Sequence, residues 1–188
     1  QALGRHDYHW NESKTSLVVT PEARAQITGL SDVEAHLRIL APPILDLSGC
    51  IHLESLKGID SISELHSLNL SGCRSLTNIE SLKGLPKLQF LNLSSCPSLK
   101  GLSGLGSAKQ VRGINLENCR SLESIEAIYS ADSLVWVNLL GCDRLTNDVV
   151  KALVDGHPGT FVILPDGRKT GPEISAPDHI LRDWEMKP

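Results

Sequence analysis

The chain has 188 residues, enough for one domain with a continuous hydrophobic core, and a formal net charge of −4. This charge argues against attraction to nucleic acid or to an anionic membrane surface. No apolar run approaches the roughly 18 residues of a membrane-spanning helix, so neither kind of partner is expected. Residues 1–6 contain no apolar secretory stretch and no initiator Met, so the chain is expected to be part of a longer or processed protein.

The N-terminal region, residues 1–41, is predicted to be an extension followed by a helical cap. The Thr-Pro-Glu run at residues 20–22 is typical of a helix start, with proline at the first helical position. Ser31 and Glu34 have the spacing of a capping box and predict a second short helix. The apolar residues 17–19 predict a short strand before the first helix.

All five cysteines share one spacing: Cys50, Cys73, Cys96, Cys119 and Cys142 follow one another at intervals of 23 residues. A constant period between about 20 and 50 residues indicates an internal repeat, whereas a disulfide framework would show an even count at uneven spacing. A metal site would need ligands at short spacing, and no Cys-x₂₋₄-Cys pair occurs. Against the alternatives of a nucleophile, a metal ligand or a redox switch, the thiols are interpreted as structural. Reduced thiols predict a cytoplasmic or nuclear location.

Each cysteine ends a nine-residue block with apolar residues at positions 1, 4 and 6 and cysteine at position 9. The blocks are residues 42–50, 65–73, 88–96, 111–119 and 134–142. Alternation at positions 4 and 6 predicts a short strand in each block, and copies of this strand would stack as a parallel sheet. Further apolar residues follow at every third position, which predicts 3₁₀ or irregular turns on the other, convex side.

The pattern L-x-x-L-x-L-x-x-(N/C)-x-L resembles that of the leucine-rich repeat, and the resemblance covers residues 42–145 in five copies. The cysteine-containing units are similar to repeats of bacterial effectors, protist proteins and plant immune receptors. The resemblance implies an α/β solenoid with short parallel strands on a concave face, an irregular or 3₁₀ convex side and helical caps at both ends. It also implies that the residue at position 9 points into the coil.

After the repeats, residues 146–164 are predicted to form a C-terminal cap made of one helix and one strand. Thr146 or Asn147 suits the N-cap of the helix and Gly156 suits its end. The apolar run at residues 161–164, followed by a Pro-Asp-Gly turn, predicts the strand.

The last segment, residues 165–188, is predicted to be a polar, extended tail. Within it, Ile180, Leu181 and Trp184 have the spacing of one apolar helical turn. This turn is expected either to pack on the last coil or to dock on a partner.

The concave face is the candidate binding surface, because positions 2, 3, 5 and 7 of each block point away from the core. Position 3 places Phe90 and Trp136 on either side of Gly113, where both rings are expected to be exposed with a gap between them. Exposed aromatic side chains near an arginine are frequent interface hot spots. Position 5 carries a column of carboxamides that either bond along their own ladder or contact a partner. The predicted partner-binding residues are His66, Asn69, Gln89, Phe90, Asn92, Arg112, Asn115, Glu117, Trp136 and Asn138.

A protein–protein interaction module is the function that these observations favour. The sequence contains no Gly-rich phosphate loop, G-x-S-x-G or HExxH motif, so no enzyme activity is predicted. The expected partner is another protein, bound without cofactor or metal by a chain that is monomeric on its own. Two alternatives remain: the substrate-recognition arm of a larger enzyme, such as a ubiquitin ligase or effector with its catalytic domain outside these residues, and self-assembly through a sheet edge or the tail.

Overall fold

One continuous sheet runs through the molecule. The structure is a computed structural model that describes residues 6–12, 14–31, 34–106 and 109–172. The strands are β1 (Tyr8–Trp10), β2 (Ser16–Val19), β3 (Ile44–Asp46), β4 (Ser67–Asn69), β5 (Phe90–Asn92), β6 (Gly113–Asn115), β7 (Trp136–Asn138), β8 (Phe161–Ile163) and β9 (Lys169–Thr170). The α-helices in the described residues are α1 (Pro21–Arg24), α2 (Glu34–Leu40) and α3 (Asn147–Gly156). None of the described helices is long and apolar enough to cross a membrane.

The strands lie in the sheet in their sequence order, and β2 to β8 all run parallel. Equivalent residues of successive repeats are paired without slippage, so that Leu68 lies beside Leu91 and Leu91 beside Ile114. These position-4 side chains are fully buried, because alternation along the strand turns them into the coil. The predicted α/β solenoid with a parallel sheet of short strands is confirmed.

The convex side is built from tight turns. It contains 3₁₀ helices at Ile59–Ser61, Glu80–Gly84 and Glu126–Ile128, as the spacing of three predicts. The apolar residues with this spacing are buried beneath the turns, and in the second repeat they are Leu76, Ile79, Leu82 and Leu85. Both walls of each coil therefore contribute to one hydrophobic core that continues from repeat to repeat.

Cysteine thiols connect neighbouring coils. Each thiol from the second repeat onward donates a hydrogen bond to the carbonyl at position 6 of the preceding repeat. The sulfur-to-oxygen distances are 3.4 Å for Cys73 to Leu47, 3.2 Å for Cys96 to Leu70, 3.0 Å for Cys119 to Leu93 and 3.0 Å for Cys142 to Leu116. All five cysteines are free and buried. This geometry supports the structural interpretation and explains why the cysteines recur at one fixed interval.

The turn that leaves each strand needs a left-handed backbone at position 8, just before the cysteine. The φ angles there are 72° at Gly49, 72° at Gly72, 57° at Ser95, 59° at Asn118 and 72° at Gly141. Glycine adopts this conformation freely and asparagine tolerates it, whereas other residues carry a strain of about 1–2 kcal/mol. Ser95 is therefore the one strained member of this series.

The N-terminal end of the sheet is closed by β1, β2 and two short helices. The Thr20 hydroxyl accepts a hydrogen bond from the Ala23 N–H at 3.4 Å and caps α1 as the sequence predicts. β1 pairs antiparallel with β2 and was not expected, because the polar residues 1–14 show no strand pattern. The Tyr8 hydroxyl is hydrogen-bonded to the His36 ring and so links β1 to α2. Residues 32 and 33, at the predicted start of α2, lie outside the described residues.

The C-terminal end is closed by α3, β8 and β9. The Thr146 hydroxyl accepts a hydrogen bond from the Val149 N–H at 3.5 Å, and α3 buries Leu153 against the last coil. β8 then adds a further parallel strand beside β7. β9 pairs antiparallel with β8 at the start of the predicted extended tail, residues 165–188. The rest of that tail, residues 173–188 with Ile180, Leu181 and Trp184, lies outside the described residues.

Replacing Leu91, which is fully buried inside its coil, by alanine is expected to lower the free energy of unfolding by about 2–5 kcal/mol. The loss combines less apolar burial with a cavity between two coils. Leu140→Ala removes the same atoms from a side chain that is 37% exposed, and should lower stability by less than about 1 kcal/mol. Urea unfolding followed by circular dichroism measures both changes. Equal losses would contradict the placement of Leu91 in the core.

Candidate functional site

The candidate site is the face of the sheet opposite the core, called the concave face below. Strand pairing aligns its side chains in columns that cross the strands. Position 3 contributes Ser67, Phe90, Gly113, Trp136 and Phe161, and position 5 contributes Asn69, Asn92, Asn115, Asn138 and Ile163. These two adjacent columns are called the central strip. The columns on its two sides are called the margins. One margin is position 2, with His66, Gln89, Arg112 and Val135, and the other is position 7, with Ser71, Ser94, Glu117 and Leu140.

The carboxamide column closes the ends of the strands. The side-chain oxygen of each asparagine accepts a hydrogen bond from the backbone N–H two residues later. The distances are 3.1 Å for Asn69 and Ser71, 3.0 Å for Asn92 and Ser94, 3.0 Å for Asn115 and Glu117, and 3.0 Å for Asn138 and Leu140. Asn69, Asn92 and Asn138 are also buried. The expectation that these three amides are accessible to a partner is therefore wrong, because the turn and the neighbouring strands surround them.

The aromatic pair is buried as well. Phe90 is 8% exposed and Trp136 is 7% exposed, although both were expected to be open to solvent. A side chain at Gly113 would bring its Cβ within 3.1 Å of Phe90 Cδ1 and 3.8 Å of Trp136 Cε3. The two rings therefore lean over Gly113 from either side and fill the gap that was expected there. The missing side chain of Gly113 is what lets them do so.

The accessible predicted residues lie on the margins and at one point of the strip. Arg112 is exposed, whereas His66, Gln89, Asn115 and Glu117 are partly exposed. They present one cation, one carboxylate and several neutral donors and acceptors on one surface. The structure thus divides the predicted site into an accessible half and a buried half.

Two of these side chains are oriented by their neighbours. The His66 ring contacts the Glu64 carbonyl through Nδ1 at 2.6 Å, and the Glu117 carboxylate accepts a 3.3 Å hydrogen bond from the Asn138 amide. Glu64 also forms an ion pair with Lys87 of the next repeat at 2.6 Å. A hydrogen bond and the charge of Lys87 lower the pKa of the Glu64 carboxyl.

Burial changes the acidity of the thiols. Burial raises the pKa of Cys96 to about 12, of Cys119 to about 11 and of Cys142 to about 12, and it also raises the pKa of Cys73. The reactive form of cysteine is the thiolate, which is therefore disfavoured at neutral pH. Among the described residues, no group of three or more His, Cys, Asp or Glu side chains is placed to hold a metal ion. The five buried thiols are therefore placed for packing rather than for nucleophilic attack.

Sequence reasoning missed two features of the surface. The first is that Phe161 and Ile163 extend the central strip by one strand. The sequence signal was the predicted strand at residues 161–164, which has to be aligned with the repeat strands to place these two side chains on the concave face. The second feature is a groove of about 310 Å³ between α3 and the turn before β9, called the C-terminal groove. Its lining includes Leu145, Val150, Lys151, Val154, Leu164 and Pro165.

Phe90→Ala and Trp136→Ala are each expected to lower the free energy of unfolding by at least about 2 kcal/mol, because both rings are buried. Arg112→Ala, on the exposed margin between them, should change it by no more than about 0.5 kcal/mol. Thermal or urea unfolding of the three variants measures the difference. If the aromatic variants were as stable as the arginine variant, the rings would be solvent-exposed in solution.

The thiols give a second prediction, which concerns pH. A raised pKa means that the folded chain holds these protons after the unfolded chain has lost them. Stability should therefore fall as the pH rises above about 8.5, by up to about 1.4 kcal/mol per pH unit for each thiol. For Cys119 the fall continues until its pKa of about 11. Cys119→Ser keeps a hydrogen-bond donor but removes one titrating thiol. The free energy of unfolding of this variant, measured by urea unfolding between pH 8 and pH 10.5, should therefore fall less steeply with pH than that of the wild type. Identical slopes for the two proteins would contradict the raised pKa of Cys119.

Comparison with known proteins identifies the repeat. Residues 63–107 match the family model for leucine-rich repeats, two copies. Among solved structures, the chain is similar to internalin C2 of Listeria monocytogenes, with a TM-score of 0.50 at 20% identity, over 58% of this chain and 46% of the internalin chain. At this identity the similarity concerns the fold alone. A comparison with curated proteins gave no match. Residues 63–107 are therefore leucine-rich repeats, and the chain has the fold of a leucine-rich-repeat solenoid.

Proposed function

We propose that this chain is a non-catalytic interaction module that binds another protein through the concave face. Leucine-rich repeats generally serve as protein–protein interaction modules. The observation that carries the proposal is the unslipped pairing of parallel strands, which holds His66, Gln89 and Arg112 in one accessible row. Strands lie about 4.8 Å apart, so this row spans about 10 Å of surface. A surface already fixed by the sheet loses little conformational entropy on binding.

The margins are the proposed contact surface, and the central strip supports them. Arg112 is the strongest candidate, because arginine is enriched among hot spots and this one is exposed in the middle of its row. Glu117, on the opposite margin, offers the opposite charge. A partner that spans both margins would then meet one cation and one anion separated by the strip, which fixes its orientation.

A non-catalytic role is supported by the thiols, whose burial and raised pKa values remove the most nucleophilic groups of the sequence. A cytoplasmic or nuclear location and a monomeric chain remain part of the proposal. The location is supported by the five buried cysteines, which form no disulfide with one another.

The test is affinity capture followed by affinity measurement with the purified partner. Wild-type protein is compared with Gln89→Ala/Arg112→Glu and with Lys83→Glu, an equal charge reversal at an exposed residue of the convex 3₁₀ helix Glu80–Gly84. The concave variant should raise the Kd at least tenfold, which is about 1.4 kcal/mol. Lys83→Glu should leave the Kd unchanged.

Circular dichroism and the unfolding midpoint serve as the folding control for all three proteins. A partner that the concave variant retains, or that both variants lose equally, would contradict the proposed surface. If the concave variant kept the partner and Lys83→Glu lost it, the binding surface would lie on the convex side.

A further inference from the structure

The fourth repeat carries an excess of positive charge at both ends of its strand. Residues 109–121 contain a single anion and three cations: Lys109, Arg112 and Arg120. Lys109 and Arg112 precede β6, whereas Arg120 follows the turn after it. Arg74 holds the position of Arg120 two coils earlier, about 10 Å away along the sheet. These four side chains are called the basic cluster, and all four are exposed.

The acidic groups near this cluster already have partners. Glu64 and Glu123 each form a 2.6 Å ion pair with a cation of the next coil. The Glu117 carboxylate accepts a hydrogen bond from the Asn138 amide. By contrast, the members of the basic cluster form no ion pair within the part of the chain that the structure describes. The cluster therefore offers exposed cations to the carboxylates of another molecule.

The backbone beneath the cluster is held by the neighbouring coils. The Arg112 N–H donates to the Gln89 carbonyl at 2.8 Å, and the Arg112 carbonyl accepts from the Val135 N–H at 2.8 Å. The Arg74 carbonyl accepts a 2.7 Å hydrogen bond from the Ser98 hydroxyl. Because these bonds fix the Cα positions before a ligand arrives, binding has to order only the arginine side chains.

The fifth repeat reverses the charge at the same positions. Asp132 stands where the fourth repeat has Lys109, and Asp143 stands where it has Arg120. Both aspartates are exposed. An acidic ligand is therefore attracted to the second to fourth coils and repelled by the fifth, which limits its position along the sheet.

An acidic protein segment fits this pattern better than a nucleic acid does. Arginine guanidinium groups bind carboxylates in a bidentate geometry. Proteins that bind single-stranded nucleic acid combine cations with aromatic rings on which the bases stack, whereas Phe90 and Trp136 on the concave face are buried. The net charge of −4 also opposes a long phosphate backbone more than it opposes a few carboxylates.

We propose that the concave face recognises an acidic segment of its partner, rich in aspartate and glutamate, that crosses the fourth repeat from Arg112 to Arg120 and reaches Arg74 on one side. This inference rests on the proposed function, because it names the chemistry of the partner for the same surface. The five residue steps from Arg112 to Glu117 cover about 17 Å, so an extended segment of at least about six residues is needed to contact both ends.

Decaglutamate carrying a fluorescent label is the probe for this surface, and fluorescence anisotropy measures its binding to the full chain. Because the chain as a whole is negative, decaglutamate can bind only at a local excess of positive charge. Its Kd should rise at least threefold between about 50 and 300 mM NaCl, since salt screens exposed charges. Absence of binding at the lower salt concentration would overturn the proposal.

Two double charge reversals locate the probe. Arg112→Glu/Arg120→Glu should raise the Kd for decaglutamate at least tenfold. Lys57→Glu/Lys83→Glu changes the net charge by the same amount at exposed residues of the convex side, and should raise the Kd no more than threefold. Circular dichroism and the unfolding midpoint are the folding control for both variants. Equal losses of affinity would show that net charge alone governs binding, which contradicts the proposal.

The aspartates of the fifth repeat provide a test in the opposite direction. Asp132→Lys/Asp143→Lys extends the basic cluster by one coil, so it should lower the Kd for decaglutamate at least threefold. An unchanged Kd would mean that the acidic ligand does not lie along these edges of the sheet, and the proposal would be wrong.

Decathymidylate is the competing ligand, because it is a polyanion with phosphates in place of carboxylates. Weaker binding of decathymidylate than of decaglutamate is expected. If decathymidylate bound more tightly, the surface would be a phosphate site and the proposed acidic protein segment would be wrong.

The proposed function and this inference fail separately, because the decaglutamate measurements need no partner. If Gln89→Ala/Arg112→Glu lost the captured partner but decaglutamate did not bind, the concave face would stand as the binding surface and the acidic segment would be refuted. If decaglutamate bound at the basic cluster but the concave variant kept the captured partner, the acidic-ligand surface would stand and the proposed function would be refuted.

Discussion

The hydrogen bonds between successive coils are the constraint on which the rest of the structure depends. They continue beyond the three-residue strands: the Leu70 N–H donates to the Asn92 carbonyl and the Gly72 N–H to the Ser94 carbonyl, both at 2.8 Å. The cysteine thiols add one more bond per coil from inside. Because every coil must meet the next at the same points, each follows the same path over the same number of residues. Alignment of the outward side chains in columns is a direct consequence.

This constraint also explains what could be predicted from the sequence. The spacing of Cys50 to Cys142 indicates the repeat, and alternation at positions 4 and 6 indicates which side chains enter the core. Residues such as Leu68 and Leu91 could therefore be placed inside correctly, and Arg112 on the open face. These properties depend only on the local path of the chain, which the repeat determines.

The burial of the central strip could not be predicted in the same way. Whether Phe90 and Trp136 are exposed depends on what lies next to them in space, and Gly113 lets both rings lean inward. The role of the Asn92 amide could not be predicted, because its oxygen can accept a hydrogen bond either from a backbone N–H or from a partner. In the structure it accepts from the backbone N–H of Ser94 in the turn. β1 and β9 are too short to show a strand pattern in the sequence. They form strands because each pairs with the edge of an existing sheet.

The two antiparallel end strands have a consequence for how such a protein can change in evolution. A new coil added outside β1 or β9 would meet a strand that runs opposite to the repeat strands, so it could not pair there in the parallel register that joins the other coils. A unit of 23 residues inserted between two cysteines meets matching coils on both sides. Internal duplication or loss of whole units can therefore lengthen or shorten the sheet in steps of about 4.8 Å while both ends stay unchanged.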